Sequence, residues 1–174
     1  DGLHYLCKNY PIIPVPDQMT VGTGVWTIKK SATIGCDNAQ LRPAAEYLSQ
    51  MLSRATGYRF AVKNGKGDIR LTLANEGNAG AYRLSVTSKG VTIEGDTYRG
   101  VINAIATLRQ LLPDDIESQQ VVARTWTVPC VTIWSGTGMM AGCCAIAVTP
   151  ANNKQQTNAF FILIFISLGF MLQS

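Results

Sequence analysis

Histidine is nearly absent, with His4 alone in 174 residues. A histidine relay or multi-histidine metal site would have to be built on that one residue, beside the N-terminus, where exposure is the default. Cysteine is scarce as well. Cys7, Cys36, Cys130, Cys143 and Cys144 make an odd count with no zinc-ligand or redox spacing. The adjacent Cys143-Cys144 is not a metal pair, and Cys36 and Cys130 read as small buried or free thiols. Charge is sparse at 15%, and the basic residues behind the net +4 are spread from Lys8 to Lys154, singly apart from the pair Lys29-Lys30. No basic run or stripe marks a nucleic-acid surface, so no nucleic-acid partner is expected. No basic start leads into an apolar core and a small-residue cleavage site, so no signal peptide is read. The chain begins at Asp1 and reads as a processed form or a piece of a longer protein.

What is present is organised around residues 82–112. Tyr82, Leu84 and Val86 alternate with Arg83 and Ser85, the period of a half-buried strand. Ser88-Lys89-Gly90 supplies a turn, and Val91 and Ile93 resume the alternation. This is a hairpin. At Gly95-Asp96-Thr97 the period changes to 3.6. Val101, Ala104, Ile105, Leu108, Leu111 and Leu112 then fall on one helical stripe. Asp96 is expected to cap this helix and Pro113 to stop it.

The rest of the chain fits around that unit. Ile12 to Val21 is extended, because Pro14 and Pro16 forbid helix. Gly22-Thr23-Gly24 is expected to turn the chain. Val25–Ile28, Ala32–Ile34, Arg59–Val62, Ile69–Leu73 and Trp126–Ile133 read as strands. A helix starting between Ala39 and Arg42, capped by Asp37 or Asn38, buries Leu41, Ala44, Ala45, Leu48, Met51, Leu52 and Ala55. Gly57 closes it. Asp114–Gln120 reads as polar and exposed. The expected fold is α+β: two layers, a mixed and mainly antiparallel sheet, and both helices on one face. Leu48, Leu52, Ile105 and Leu108 should be core.

At residue 134 the composition changes. Residues 134–174 hold one charged residue, Lys154, and no Asp or Glu follows Glu117. Ala159–Leu172 is an almost unbroken apolar run. Three readings remain open for this tail: a shifted reading frame or truncated gene, a membrane anchor, or a packed extra element. Against the anchor, fourteen helical residues span about 21 Å, short of the roughly 30 Å hydrocarbon core. The domains expected are a loose segment 1–9, a folded domain 10–133, and the anomalous tail 134–174 with the apolar run 159–172.

Few residues suggest chemistry. Gly22-Thr23-Gly24 lacks the helix and lysine of a phosphate loop. Asp114, Asp115 and Glu117 suggest a cation site, against the ordinary role of a solvated loop after a helix. Trp26, Trp126 and Tyr98 are candidates to stack on a sugar ring. Strand patterning puts both tryptophans in the core and leaves Tyr98 as the exposed candidate. No residue is assigned a catalytic, cofactor-binding or metal-binding role, and no cofactor is expected.

Three separated segments carry a family resemblance, in order. They are Ile12-Ile13-Pro14-Val15-Pro16, the hairpin and helix ending Thr107-Leu108-Arg109-Gln110-Leu111-Leu112-Pro113, and Trp126-Thr127-Val128-Pro129-Cys130-Val131-Thr132-Ile133. Together, over about residues 10–133, they resemble the accessory domain before the catalytic barrel of family 20 glycoside hydrolases, the β-N-acetylhexosaminidases. Related accessory domains precede other glycosidase barrels too. The resemblance implies a non-catalytic domain whose partner is a TIM barrel, in an exported enzyme of glycan catabolism. The chain is too short to hold that barrel, which needs roughly 250 residues. After Ile133 the family would continue with Asp-x-Pro-Arg-aromatic and Trp-Arg-Gly-x-Met-Leu-Asp. Those residues are missing here, as is the catalytic Asp-Glu pair further on, so this chain by itself is expected to be inactive. Two other readings stay open: an independent carbohydrate-binding module with glycan as partner, and a membrane-tethered domain using 159–172.

Overall fold

In the computed structural model the two apolar stripes become two long helices packed on a sheet. Residues 12–75 and 77–136 are described. The expectations for the segment 1–9, for His4, Cys7, Cys143 and Cys144, and for the apolar run 159–172 lie outside those residues. The strands are β1 (Gln18–Thr27), β2 (Thr33–Cys36), β3 (Ala61–Asn64), β4 (Ile69–Leu73), β5 (Tyr82–Thr87), β6 (Gly90–Gly95) and β7 (Thr127–Ser135). The helices are α1 (Arg42–Thr56) and α2 (Tyr98–Leu111).

The strands form one sheet in the order β1-β7-β5-β6-β4-β2-β3. β1, β7, β5 and β6 pair antiparallel. β6, β4, β2 and β3 pair parallel. The sheet is therefore mixed, and its antiparallel half carries the longer ladders. α1 packs on β2 and β3, α2 on β4, β5 and β6, and the helices touch each other. Both lie on one face, as the stripes require.

That face is the core. Leu48, Leu52, Ile69, Leu71, Leu84, Ile93, Ile105 and Leu108 are all at most 1% exposed. At roughly 1.5–3 kcal/mol for each such side chain, their burial is the main cohesive term. On the opposite face, cross-strand pairing sets Gln18 beside Trp134, Trp134 beside Arg83 and Arg83 beside Glu94. The same alternation that fills the core leaves this second face polar.

Several local expectations are corrected. Gly22-Thr23-Gly24 does not turn the chain. β1 runs through it as one strand with a bulge, where the register jumps from Val21↔Val131 to Val25↔Pro129. Gly24 takes φ +88 there, a conformation with little cost for glycine. The cap of α2 is Thr97, whose side-chain oxygen accepts from Gly100 N, not Asp96. Asp96 instead accepts from Asn78 N at 3.2 Å and ties down the loop before β5. β3 begins two residues later than expected, at Ala61. Asp114–Glu117 is a 3₁₀ turn that buries Ile116, so this stretch is not uniformly exposed. At the first helix, Asn38 accepts from Gln40 N, and Gly57 ends α1 with φ 69. β7 extends two residues past Ile133, so Trp134 and Ser135 belong to the sheet.

Candidate functional site

The acidic trio is dispersed into separate contacts. The turn after α2 presents Glu117 to Arg109 on that helix, with Arg109 Nε donating to Glu117 Oε1 at 2.6 Å. This bond holds the Arg109 guanidinium pKa above its ordinary value against the opposing effect of burial. Asp115 pairs with Arg124, whose guanidinium lies 5.4 Å from the centroid of the Trp126 ring. With Glu117 and Asp115 each bound to an arginine, the turn serves as a brace across the end of α2. Among the described residues no group of three His, Cys, Asp or Glu side chains is placed to hold a metal.

The concavity beside this brace is lined by Tyr47, Gln50, Met51, Arg54, Arg109, Ile116 and Glu117 and measures about 100 Å³. Sites that enclose a small ligand run to roughly 300–1,000 Å³. It is too small to enclose a sugar ring and has no pair of carboxylates facing each other across it.

The aromatic candidates divide. Trp26 and Trp126 are 4% and 1% exposed and fill the core. Trp126 Nε1 is the buried side-chain polar atom without a hydrogen-bond partner among the described residues. Tyr98, at the first position of α2, is 43% exposed, as expected. Sequence reasoning missed Trp134, 37% exposed on the face away from the helices. Its signal was the continued alternation of Val131, Ile133 and Ser135 against Thr132 and Trp134. Cys36 and Cys130 are buried free thiols.

The helix-end segment Thr107–Pro113 acts as a junction, residue by residue. Thr107 Oγ1 lies 2.7 Å from the buried Tyr82 hydroxyl on β5. Burial pushes the Tyr82 phenol pKa up. Leu108, Leu111 and Leu112 enter the core. Arg109 holds Glu117, and Gln110 holds the backbone of Ile13 through two hydrogen bonds. This one segment ties together the sheet, the turn after α2 and the entering chain.

The described residues thus form a mixed sheet with two helices on one face, an α+β domain knitted by such a junction. The model for glycosyl hydrolase family 20, domain 2, matches residues 9–134. The chain belongs to that family. It is 30% identical over 136 residues to a β-hexosaminidase of Porphyromonas gingivalis (strain ATCC BAA-308 / W83), covering 72% of this chain and 17% of that protein. Its fold is similar to that of the Streptomyces plicatus N-acetyl-β-hexosaminidase solved with Thio-NAglucal, at 34% identity and a TM-score of 0.67. That match covers 72% of this chain and 26% of the other. The family 20 β-N-acetylhexosaminidase of Streptomyces coelicolor A3(2) is similar at 35% identity and a TM-score of 0.66, with the same coverage. The chain thus spans about a quarter or less of these relatives, in which the domain is one part of a larger enzyme.

Proposed function

We propose that this chain is the non-catalytic domain of a β-N-acetylhexosaminidase, which packs against and orients a catalytic barrel. The parent enzyme would remove terminal N-acetylhexosamine residues in β-linkage. The observation that carries the reading is the match to domain 2 over residues 9–134, which covers the whole sheet except Ser135, the last residue of β7. Hydrolysis needs a positioned acid for the leaving oxygen and a group to orient the acetamide. General acid–base help of that kind is worth about 10²–10⁴-fold, and Asp115 and Glu117 are engaged by arginines instead. The purified chain, free of host hexosaminidase, should release no phenol from aryl N-acetyl-β-glucosaminides. Turnover that disappears on changing Asp114→Asn, Asp115→Asn and Glu117→Gln would refute the accessory role. A hybrid carrying residues 12–136 in place of the matching domain of the Streptomyces plicatus enzyme should fold and keep hydrolysis that the domain-deleted enzyme loses. The family resemblance also supports export of the parent enzyme, which cell fractionation would test.

A second reading, an independent carbohydrate-binding module, draws on the exposed rings of Tyr98 and Trp134. It requires N-acetylglucosamine oligomers to bind the chain and Tyr98→Ala or Trp134→Ala to abolish that binding.

A further inference from the structure

Segments that carry lysines scattered along the sequence come together at one end of the sheet, where β2, β4 and β6 begin side by side. β5 runs from Tyr82 to Thr87 and turns through Lys89 into β6 at Gly90. Val91 N donates to Asp68 O at 2.9 Å, so the loop carrying Lys66 reaches this same turn. Asp68 Oδ2 accepts from Thr33 N at 2.8 Å, which brings the start of β2 there as well. The Thr33 N–H chiefly holds the Asp68 carboxyl below its ordinary pKa, and Lys29, in the connection before β2, adds a small attraction in the same direction. Its neighbour Lys30 places Nζ 5.9 Å from the Tyr58 ring centroid. Lys29, Lys30, Lys66 and Lys89 are all exposed. The ion pairs of the described residues are made by arginines, at Arg42, Arg70, Arg109 and Arg124. These four lysines are in none of them. Asp68 is the carboxylate at the centre of the group, and Thr33 engages it through both its backbone N–H and its hydroxyl.

We infer that this end, formed by Lys29, Lys30, Lys66 and Lys89, binds an acidic polysaccharide. Several point charges on short loops give a summed field that attracts an extended polyanion without fixing one sugar. A lipid surface fits less well, because interfacial binding uses exposed Trp, Phe or Leu beside the cations, and here Tyr98 and Trp134 stand at the other end of the sheet. Pairing of Tyr82 with Ser135 puts the end of β7 at the start of β5, opposite Lys89. The choice of a polysaccharide rests on the glycosidase reading; the lysine cluster itself does not.

The full chain should bind dextran sulfate and alginate, but not neutral dextran, in 0.1 M NaCl. In 1 M NaCl, where screening acts over about 3 Å rather than 10 Å, binding should vanish. Replacing Lys29, Lys30, Lys66 and Lys89 together by Gln should weaken binding tenfold or more with an unchanged unfolding midpoint. A control that removes as much charge elsewhere, Arg42→Gln, Arg54→Gln, Arg83→Gln and Arg99→Gln, should keep most of the affinity. Equal losses in both variants would reduce the effect to net charge and overturn the site. Binding to phosphatidylglycerol vesicles without binding to either polymer would overturn the ligand class. Hydrolysis assays play no part in these readouts, so the site and the accessory-domain reading fail separately.

Discussion

The side-chain amide of Gln110 pairs with both backbone groups of Ile13: Ile13 N donates to Oε1 at 2.8 Å, and Nε2 donates to Ile13 O at 3.0 Å. It mimics one rung of a β-ladder and fixes the entering chain on the last turn of α2. Gln110→Ala should cost about 0.5–1.5 kcal/mol for each bond lost, and toward the lower end because the bonds are exposed. Amide exchange at Ile13 should accelerate in the variant while exchange in β5 and β6 is unchanged.

Leu108, 1% exposed, sits between α2 and the sheet. Leu108→Ala should destabilise the domain by about 2–5 kcal/mol, the range for a leucine that leaves a cavity. Denaturant unfolding measures this directly. A shift below about half a kilocalorie would remove Leu108 from the core.

The loop 65–68 crosses β2 backbone to backbone. A Cβ on Gly35 would fall on Gly65 O and come 2.7 Å from Lys66 C, and one on Gly67 would come 2.9 Å from Thr33 O. Gly35→Ala and Gly67→Ala should each cost at least about 1–3 kcal/mol, because backbone rather than a pliable side chain must move. Gly65 has open space around its Cβ position and φ +82, so Gly65→Ala should pay only the left-handed cost of about 1–2 kcal/mol. The ranking of the three melting temperatures is the measurement.

Asp68 links stability to pH. Its folded-state pKa lies below the ordinary 3.8, chiefly because Thr33 N–H hydrogen-bonds the carboxylate. A depressed folded pKa stabilises the fold above the unfolded value. That contribution fades as pH falls below about 4 and through the folded pKa. Asp68→Asn should flatten the acid limb of the stability curve and leave its slope above pH 5 unchanged.

The end of β7 sets a boundary that truncation can locate. Trp134 pairs with both Gln18 and Arg83, and Gly136 N donates to Asp17 Oδ2 at 2.7 Å. A chain ending at Gly136 should melt at a higher temperature than one ending at Ile133, which loses these ladder and loop bonds. Equal melting would place the end of the folded unit at Ile133.

By itself the sequence determined the elements that repeat with a period. The stripes of α1 and α2 and the alternation of β4, β5 and β6 were legible because each burial there is signalled by neighbours two, three or four positions away. The closures by Gly57 and Pro113 were legible for the same reason, since a cap acts within one turn. Contacts between distant segments were decided by the tertiary structure. Gly22-Thr23-Gly24 became a bulge because β7 lay alongside to keep the strand paired. Asp96 yielded the cap to Thr97 because Asn78 N, brought up by the preceding loop, took its carboxylate. Gly65-Lys66-Gly67-Asp68 read as an ordinary loop, and nothing local showed that it would cross Gly35. The lysines gave no stripe along the chain, since the segments that carry Lys29, Lys66 and Lys89 come to one end of the sheet only when β2, β4 and the β5–β6 turn are held side by side.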